Sequence, residues 1–221
     1  MYSIKSLSLS NEIEYHIEVW QLDLDLQAPI LDADLAILSN SEYAYASSFH
    51  WHADKIRSIA TRLALKKLLS SKIGIPPKDI CFDKNEYGKP FVQNDVGIHF
   101  NVSHAGHHGL IAISTHKTVG VDIELCSKQI DITELAKYVF TPLERKLLIN
   151  THENFIKQWV AKEAALKALG IGISEHLQSI SIIANKKSDY QIISNFPEWS
   201  DLKVSSIEAP SNYYAAIAHK N

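Results

Sequence analysis

Asp122 and Glu124 stand two residues apart in the stretch Val119–Leu125, alternating with apolar Val121 and Ile123. If that stretch is a strand, Val121 and Ile123 turn to one face and the two carboxylates to the other. Like charges on one face repel, and burial raises the cost. A hard divalent cation such as magnesium, which prefers oxygen ligands, would relieve it. A solvated acidic edge strand has the same pattern, and the pair alone does not separate the two readings. A third carboxylate, Glu163, lies in Phe155–Gly172. There Phe155, Trp159, Leu166 and Leu169 make an apolar helical stripe, with Glu163 at its margin. Lys167, at i+4 from Glu163, shares that face; alone, such a pair is a surface ion pair worth roughly 0.2–0.5 kcal/mol.

Two further segments suit an anionic phosphate. Tyr87–Pro90 reads as a tight turn that holds out Lys89, with Gly88 permitting the bend and Pro90 stiffening the exit. Phe100–Gly106 places Ser103 and His104 where a strand runs into a glycine turn, so that a hydroxyl, an imidazole and backbone N–H groups gather. Each also reads as an ordinary loop lysine or an ordinary strand end.

The elements that must position these residues follow from periodicity. Ile13–Leu24 alternates with one slip and predicts a strand, and a helical stretch runs from Asp32 to Phe49. Asp54–Ile73 is a stronger helix, ended by Gly74 and the Pro76–Pro77 pair. Short strands are expected at 80–82, 97–103, 109–115 and 119–125, separated by turn residues. Helical patterning returns at Ile132–Val139, after Pro142, and at Asn154–Leu169, closed by Gly170 and Gly172. A strand meander runs from there to the end. The order (strand, helices, strands, then the same again) predicts an α+β chain of two similar halves, residues 1–118 and 119–221.

At 221 residues with 46% hydrophobic content, the chain can bury a sizeable core. A net charge of −3 argues against general nucleic-acid binding, which needs a basic surplus. No run of about 20 apolar residues suggests a membrane span, and the first residues lack a signal-peptide pattern. Cys81 and Cys126 match no metal spacing, so a reducing, cytoplasmic setting is the expectation. Histidine clusters (His50 with His52; His104 with His107 and His108) raise a zinc site as a rival, without cysteine support or a His-Glu-x-x-His pattern.

In this order and spacing, Gly88-Lys-Pro90, Phe100–Gly106, Val119–Glu124 and Trp159–Gly172 resemble the Sfp-type 4'-phosphopantetheinyl transferases, with a Trp-x-x-Lys-Glu-Ala form similar to the branch named for those letters. The resemblance implies a pseudo-dimeric α+β fold. It also implies transfer of the 4'-phosphopantetheine group of coenzyme A to a serine of an apo acyl or peptidyl carrier protein, releasing 3',5'-ADP. Magnesium would be held by Asp122, Glu124 and Glu163, with coenzyme A as co-substrate and a monomer sufficient. Lys89, Ser103 and His104 match phosphate contacts, and Lys167 matches a lysine at the pyrophosphate and leaving group. Arg57 and Ser58 fit the helix bordering the adenine and the 3'-phosphate. Members of the family often carry lysines upstream of that arginine, whereas Ser41–Ser48 has no basic residue. The 3'-phosphate would then rest on Arg57, His104 and Lys55 or Arg62. That departure motivates the second reading, a degenerate member that binds coenzyme A or a carrier without transfer. By the same resemblance, Thr141–Lys146 and the 170–176 loop are the expected carrier-facing segments.

Overall fold

Strands that are buried on both faces need two different partners, and that requirement builds this molecule. The computed structural model describes residues 1–9, 16–94, 97–127, 131–148, 151–185 and 189–220. In chain order the elements are β1 (Tyr2–Leu7), β2 (Ile17–Leu24), α1 (Asp32–Leu35), α2 (Asn40–Ser47), α3 (His52–Ile73), β3 (Phe82–Lys84), β4 (Pro90–Val92), β5 (His99–Ala105) and β6 (His108–Ser114). There follow β7 (Thr118–Leu125), α4 (Ile132–Val139), α5 (Pro142–Leu147), α6 (His152–Leu169), β8 (Ile180–Ala184), β9 (Tyr190–Ser194), β10 (Leu202–Ile207) and β11 (Tyr213–Lys220). The fold is α+β with two halves, as expected.

One sheet has the order β1-β2-β6-β5 and a second has β10-β11-β7. Leu22, Leu24, Ile111 and Ile113 pack on α3 through Ile56, Ala60 and Ala64. The opposite faces of the same strands, Ile17, Val19, Leu110 and Ala112, meet Val119, Val121, Ile123, Ala215 and Ile217 of the second sheet. The far side of that second sheet, Ala216 and Ala218, packs on α6 through residues that include Val160, Ala161 and Ala164. The layers are therefore α3, sheet, sheet and α6. The slip in the alternation of β2 is a consequence: both of its faces are interior.

Several boundaries differ from the periodicity. The single helix expected over Asp32–Phe49 is two short ones, because Ser39 becomes an N-cap: its hydroxyl accepts from Glu42 N–H, and the Glu42 carboxylate accepts from Ser39 N–H. β1 has no counterpart in the periodicity: it is an edge strand in which only Leu7 is buried, so it lacks an alternating signature. The strand expected at 80–82 is β3, two residues later. Residues 13–15 of the first expected strand lie outside the described residues. β8 and β9 pair with each other and reach β10 through a bridge between Asp189 and Ser205, which completes the expected meander. Both cysteines are free. Among the described residues, no helix is long and apolar enough to cross a membrane.

Candidate active site

The alternation read for β7 places Val119, Val121 and Ile123 in the core between the sheets, while Gly120, Asp122 and Glu124 face α6. Gly120 lets the helix lie against the strand: a Cβ there would stand 2.1 Å from Ala164 O and 2.3 Å from Ala168 N. This close approach brings Lys167 Nζ to 2.5 Å from Asp122 Oδ1, while i+4 spacing within α6 holds it 3.3 Å from Glu163 Oε2. Ser103 of β5 donates to the same Asp122 oxygen at 2.6 Å, and Lys167 Nζ lies 3.2 Å from Ser103 Oγ. Asp122 is 1% exposed. Its Oδ2 is buried and accepts no hydrogen bond from the described residues.

Charge crowding sets the proton affinities. Burial, reinforced by the Asp122 charge, pushes both Glu124 and Glu163 up to about 7; Lys167 pulls both the other way, and the Trp159 indole N–H does so at Glu124. Burial works against the charge on Lys167, but Asp122 and Glu163 outweigh it and hold that pKa above the ordinary lysine value. His104 opens to solvent on one side. Enclosure by protein on its other sides lowers its pKa, with Arg57 and Lys167 adding to the effect.

Asp122, Glu124, Glu163 and Lys167 share one wall of a cavity of about 770 Å³. Its other walls carry Ser58, Arg62, Ser103 and His104, with Ser41, Glu42 and Tyr45 of α2 and Phe82, Gly88 and Pro90 of the β3–β4 hairpin. Arg62 lies over the Phe82 ring at 4.4 Å and 3.5 Å from Glu42, and its Nη1 is buried without a hydrogen-bond partner among the described residues.

The sequence comparisons bear on what this cavity serves. Residues 28–116 match the 4'-phosphopantetheinyl transferase N-terminal family, and residues 118–218 match the 4'-phosphopantetheinyl transferase superfamily. The chain is 31% identical over 210 residues to 4'-phosphopantetheinyl transferase HetI of Nostoc sp., covering 91% of this chain and 86% of that protein. The chain belongs to the 4'-phosphopantetheinyl transferases. It is also 40% identical over 138 residues to 4'-phosphopantetheinyl transferase gsp of Aneurinibacillus migulanus (60% of this chain, 56% of that one). It is 26% identical over 189 residues to 4'-phosphopantetheinyl transferase Sfp of Bacillus subtilis (83% and 82%). The type is the two-domain one that Sfp and HetI share, and as an enzyme it transfers 4'-phosphopantetheine to carrier proteins.

In this transferase the expected residues do not all meet. Asp122, Glu124, Glu163, Lys167, Ser58, Ser103 and His104 line one cavity. Arg57 does not reach it as a free cation: its Nε donates to Gly106 O at 2.8 Å and its Nη1 pairs with Asp54. Lys89 departs furthest from expectation. Its ammonium donates to Val119 O of β7 and to Lys167 O and Ala168 O at the end of α6, and burial lowers its pKa to about 8. The histidine cluster does not assemble a zinc site: His108 pairs with Asp23, His107 Nδ1 lies near Leu24 O, and no group of three metal-ligating side chains forms among the described residues.

Gly120, Asn85 and Trp159 contribute in ways that the motifs did not reveal. Asn85 Nδ2 donates to Gly170 O at 2.8 Å. Beneath the helix, Lys162 and Glu144 form a fully buried ion pair at 2.5 Å. Glu144 also accepts from Thr141 N–H and Ile182 N–H. This pair fixes the residue next to Glu163, and the only local sign of it is the cap pattern Thr141-x-x-Glu144.

Proposed function

We propose that this transferase moves the 4'-phosphopantetheine group of coenzyme A onto a carrier serine with magnesium held by Asp122, Glu124 and Glu163. The observation that carries this reading is three carboxylates from two elements on one cavity wall, one of them presenting a buried oxygen with no hydrogen-bond donor among the described residues. The donor set suits a hard cation, because all three side chains offer oxygen. As the side chains stand, the three do not form a closed ligand set, and Lys167 supplies the positive charge among them. When bound, magnesium supplies charge neutralisation at the diphosphate.

In this reading the residues of the chain do the rest. The carrier serine oxygen forms a bond to the β-phosphorus of coenzyme A as the bond from that phosphorus to the bridging oxygen breaks, and 3',5'-ADP departs. Glu163, whose pKa burial lifts to about 7, accepts the serine proton in its ionised form. Lys167, with a raised pKa, keeps its proton and stabilises the departing phosphate as a charge. Ser103 and His104 contact the phosphates. Arg62 and His104 take the 3'-phosphate, since α2 offers Glu42 where a base would serve and Arg57 is tied to Gly106. Ser58 borders the nucleoside. On the same reading, the Trp-x-x-Lys-Glu-Ala form supports assignment to the branch of that name, with the chain divided into halves 1–118 and 119–221.

The carrier, an acyl or peptidyl carrier protein with acidic residues around its serine, would dock on α4 and α5. Tyr138 and Leu147 are exposed there at 72% and 54%, among Lys137, Arg145 and Lys146. Reversing Arg145 and Lys146 to glutamate should weaken carrier affinity; unchanged affinity removes this surface.

The test is incubation with coenzyme A, magnesium and an apo carrier protein, followed by intact mass of the carrier. Chelation should abolish the phosphopantetheine increment and magnesium should restore it. Asp122→Ala and Glu163→Ala should each slow transfer by about 10²-fold or more, the scale of losing one strong electrostatic contact. Parent-like rates in both variants would remove the metal assignment. Coenzyme A binding by calorimetry without transfer across a carrier panel would favour the binding-only reading, which the lack of bases in α2 motivates.

A further inference from the structure

The Asn85–Lys89 turn is built by its own atoms. Asn85 N–H donates to Lys89 O, and Asn85 Oδ1 accepts from the N–H groups of Tyr87 and Lys89. Gly88 takes the left-handed backbone, φ 85°, that closes it. So constructed, the turn points two side chains at α6. Asn85 Nδ2 reaches Gly170 O at 2.8 Å. Lys89 Nζ reaches Lys167 O at 2.6 Å, Val119 O at 3.0 Å and Ala168 O at 3.3 Å.

An ammonium has three N–H donors, and here three carbonyls take them, leaving none for a phosphate. Two of those carbonyls belong to the last turn of α6, where helix carbonyls lack intrahelical partners and the dipole favours a cation. The third belongs to β7, three residues before Asp122. Lys89 thus ties strand to helix at the point where Gly120 lets them touch, and the residue it grips by the backbone is Lys167.

We propose that Lys89 and Asn85 form a latch that fixes the end of α6 against β7, making both of them positioning residues for phosphopantetheine transfer and not phosphate contacts. Gly88 and Pro90, carried on the same turn, line the cavity, so the latch also sets the distance between that wall and Lys167. The kinetic part rests on the transfer reaction proposed above; the structural part does not.

The test uses the full chain with Lys89→Met, which keeps length and removes the donors. Asn85→Asp is the second variant: it keeps the turn's acceptor and Lys89, and puts a carboxylate oxygen where the donor to Gly170 stood. Amide exchange of the last turn of α6, measured without ligand, should accelerate about tenfold or more in Lys89→Met and less in Asn85→Asp. With apo carrier and saturating coenzyme A, kcat should fall by about tenfold to a hundredfold, the scale of a misplacement near 1 Å. The Kd for 3',5'-ADP should stay within about threefold, and the double variant should be no worse than Lys89→Met, as expected of one coupled unit. Should Lys89→Met not fold, Asn85→Asp alone carries the comparison. A tenfold or greater loss of 3',5'-ADP affinity with parent-like exchange and kcat would make Lys89 a phosphate contact and overturn the latch, as would parent-like behaviour in all three measurements. If the parent modifies no carrier, the transfer reading fails, while the exchange result still decides the latch.

Discussion

Replacing Gly120 with alanine adds one methyl group at the tightest contact in the site. Gly120 does not have a positive φ, so the substitution is not opposed by backbone conformation. The obstacle is space. The new Cβ would lie 2.1 Å from Ala164 O, 2.3 Å from Ala168 N and 2.9 Å from the carbonyl carbon of Lys167. Ordinary contact needs about 3.5 Å, so the helix must retreat by roughly 1 Å or the strand must bend away. All three obstructing atoms are backbone of α6 and cannot rotate aside. Overpacking of this kind costs about 1–3 kcal/mol of stability. The retreat also carries Glu163 and Lys167 away from Asp122, and a displacement near 1 Å costs about 10²-fold in rate. Urea unfolding and initial rates of carrier modification, with the folded fraction fixed by the former, measure the two effects separately. Gly109→Ala is the control, because its nearest neighbours at 3.2 Å are side-chain methyl groups of Leu22 and Thr61, which have more freedom to yield. A Gly120→Ala protein with the parent's urea midpoint and a rate within threefold would refute the claim that this contact sets the geometry.

Without magnesium, Glu124 and Glu163 hold their protons up to about pH 7, so magnesium affinity should rise as pH rises through about 7, with protons released on binding; an affinity flat from pH 5.5 to 8 would contradict the ligand roles given to them. His219, buried with an Nδ1 that has no hydrogen-bond partner among the described residues, has its pKa lowered to about 4 by burial, with Lys117 and Lys203 adding to the effect. Below its ordinary value only the unfolded chain takes up the proton, so stability present above about pH 6.5 is lost as pH falls toward 4, by at most about 3 kcal/mol; His219→Gln should flatten that part of the urea-midpoint profile. Lys162→Met leaves Glu144 buried without its cation and should cost about 3–5 kcal/mol by unfolding, with Lys162→Met/Glu144→Gln recovering part of it.

What could be read from the sequence was what local order encodes. The β7 alternation separates Val121 and Ile123 from Asp122 and Glu124 whatever the rest of the chain does, and i+4 spacing puts Glu163 beside Lys167 on any helix. The break before α2 was legible too, since Ser39-x-x-Glu42 is a capping box; the apolar residues either side obscured it. The edge strand β1 offered no period because little of it is buried.

Lys89 shows where local reading ends. Its turn is written in five neighbouring residues, but the carbonyls that take its ammonium come from Val119, Lys167 and Ala168, far along the chain. A lysine held out by a turn fits a phosphate and a helix terminus equally well, and only the placement of α6 chooses between them. The same holds for Gly120, which in sequence is an unremarked glycine in a strand and in the fold is the space that α6 occupies. The residues that supply charge to the reaction are therefore local signals, whereas those that hold the charges at their distances act through partners that the sequence does not name. Substitution at Lys89 or Gly120 should accordingly alter rates while every expected ligand and base remains in place.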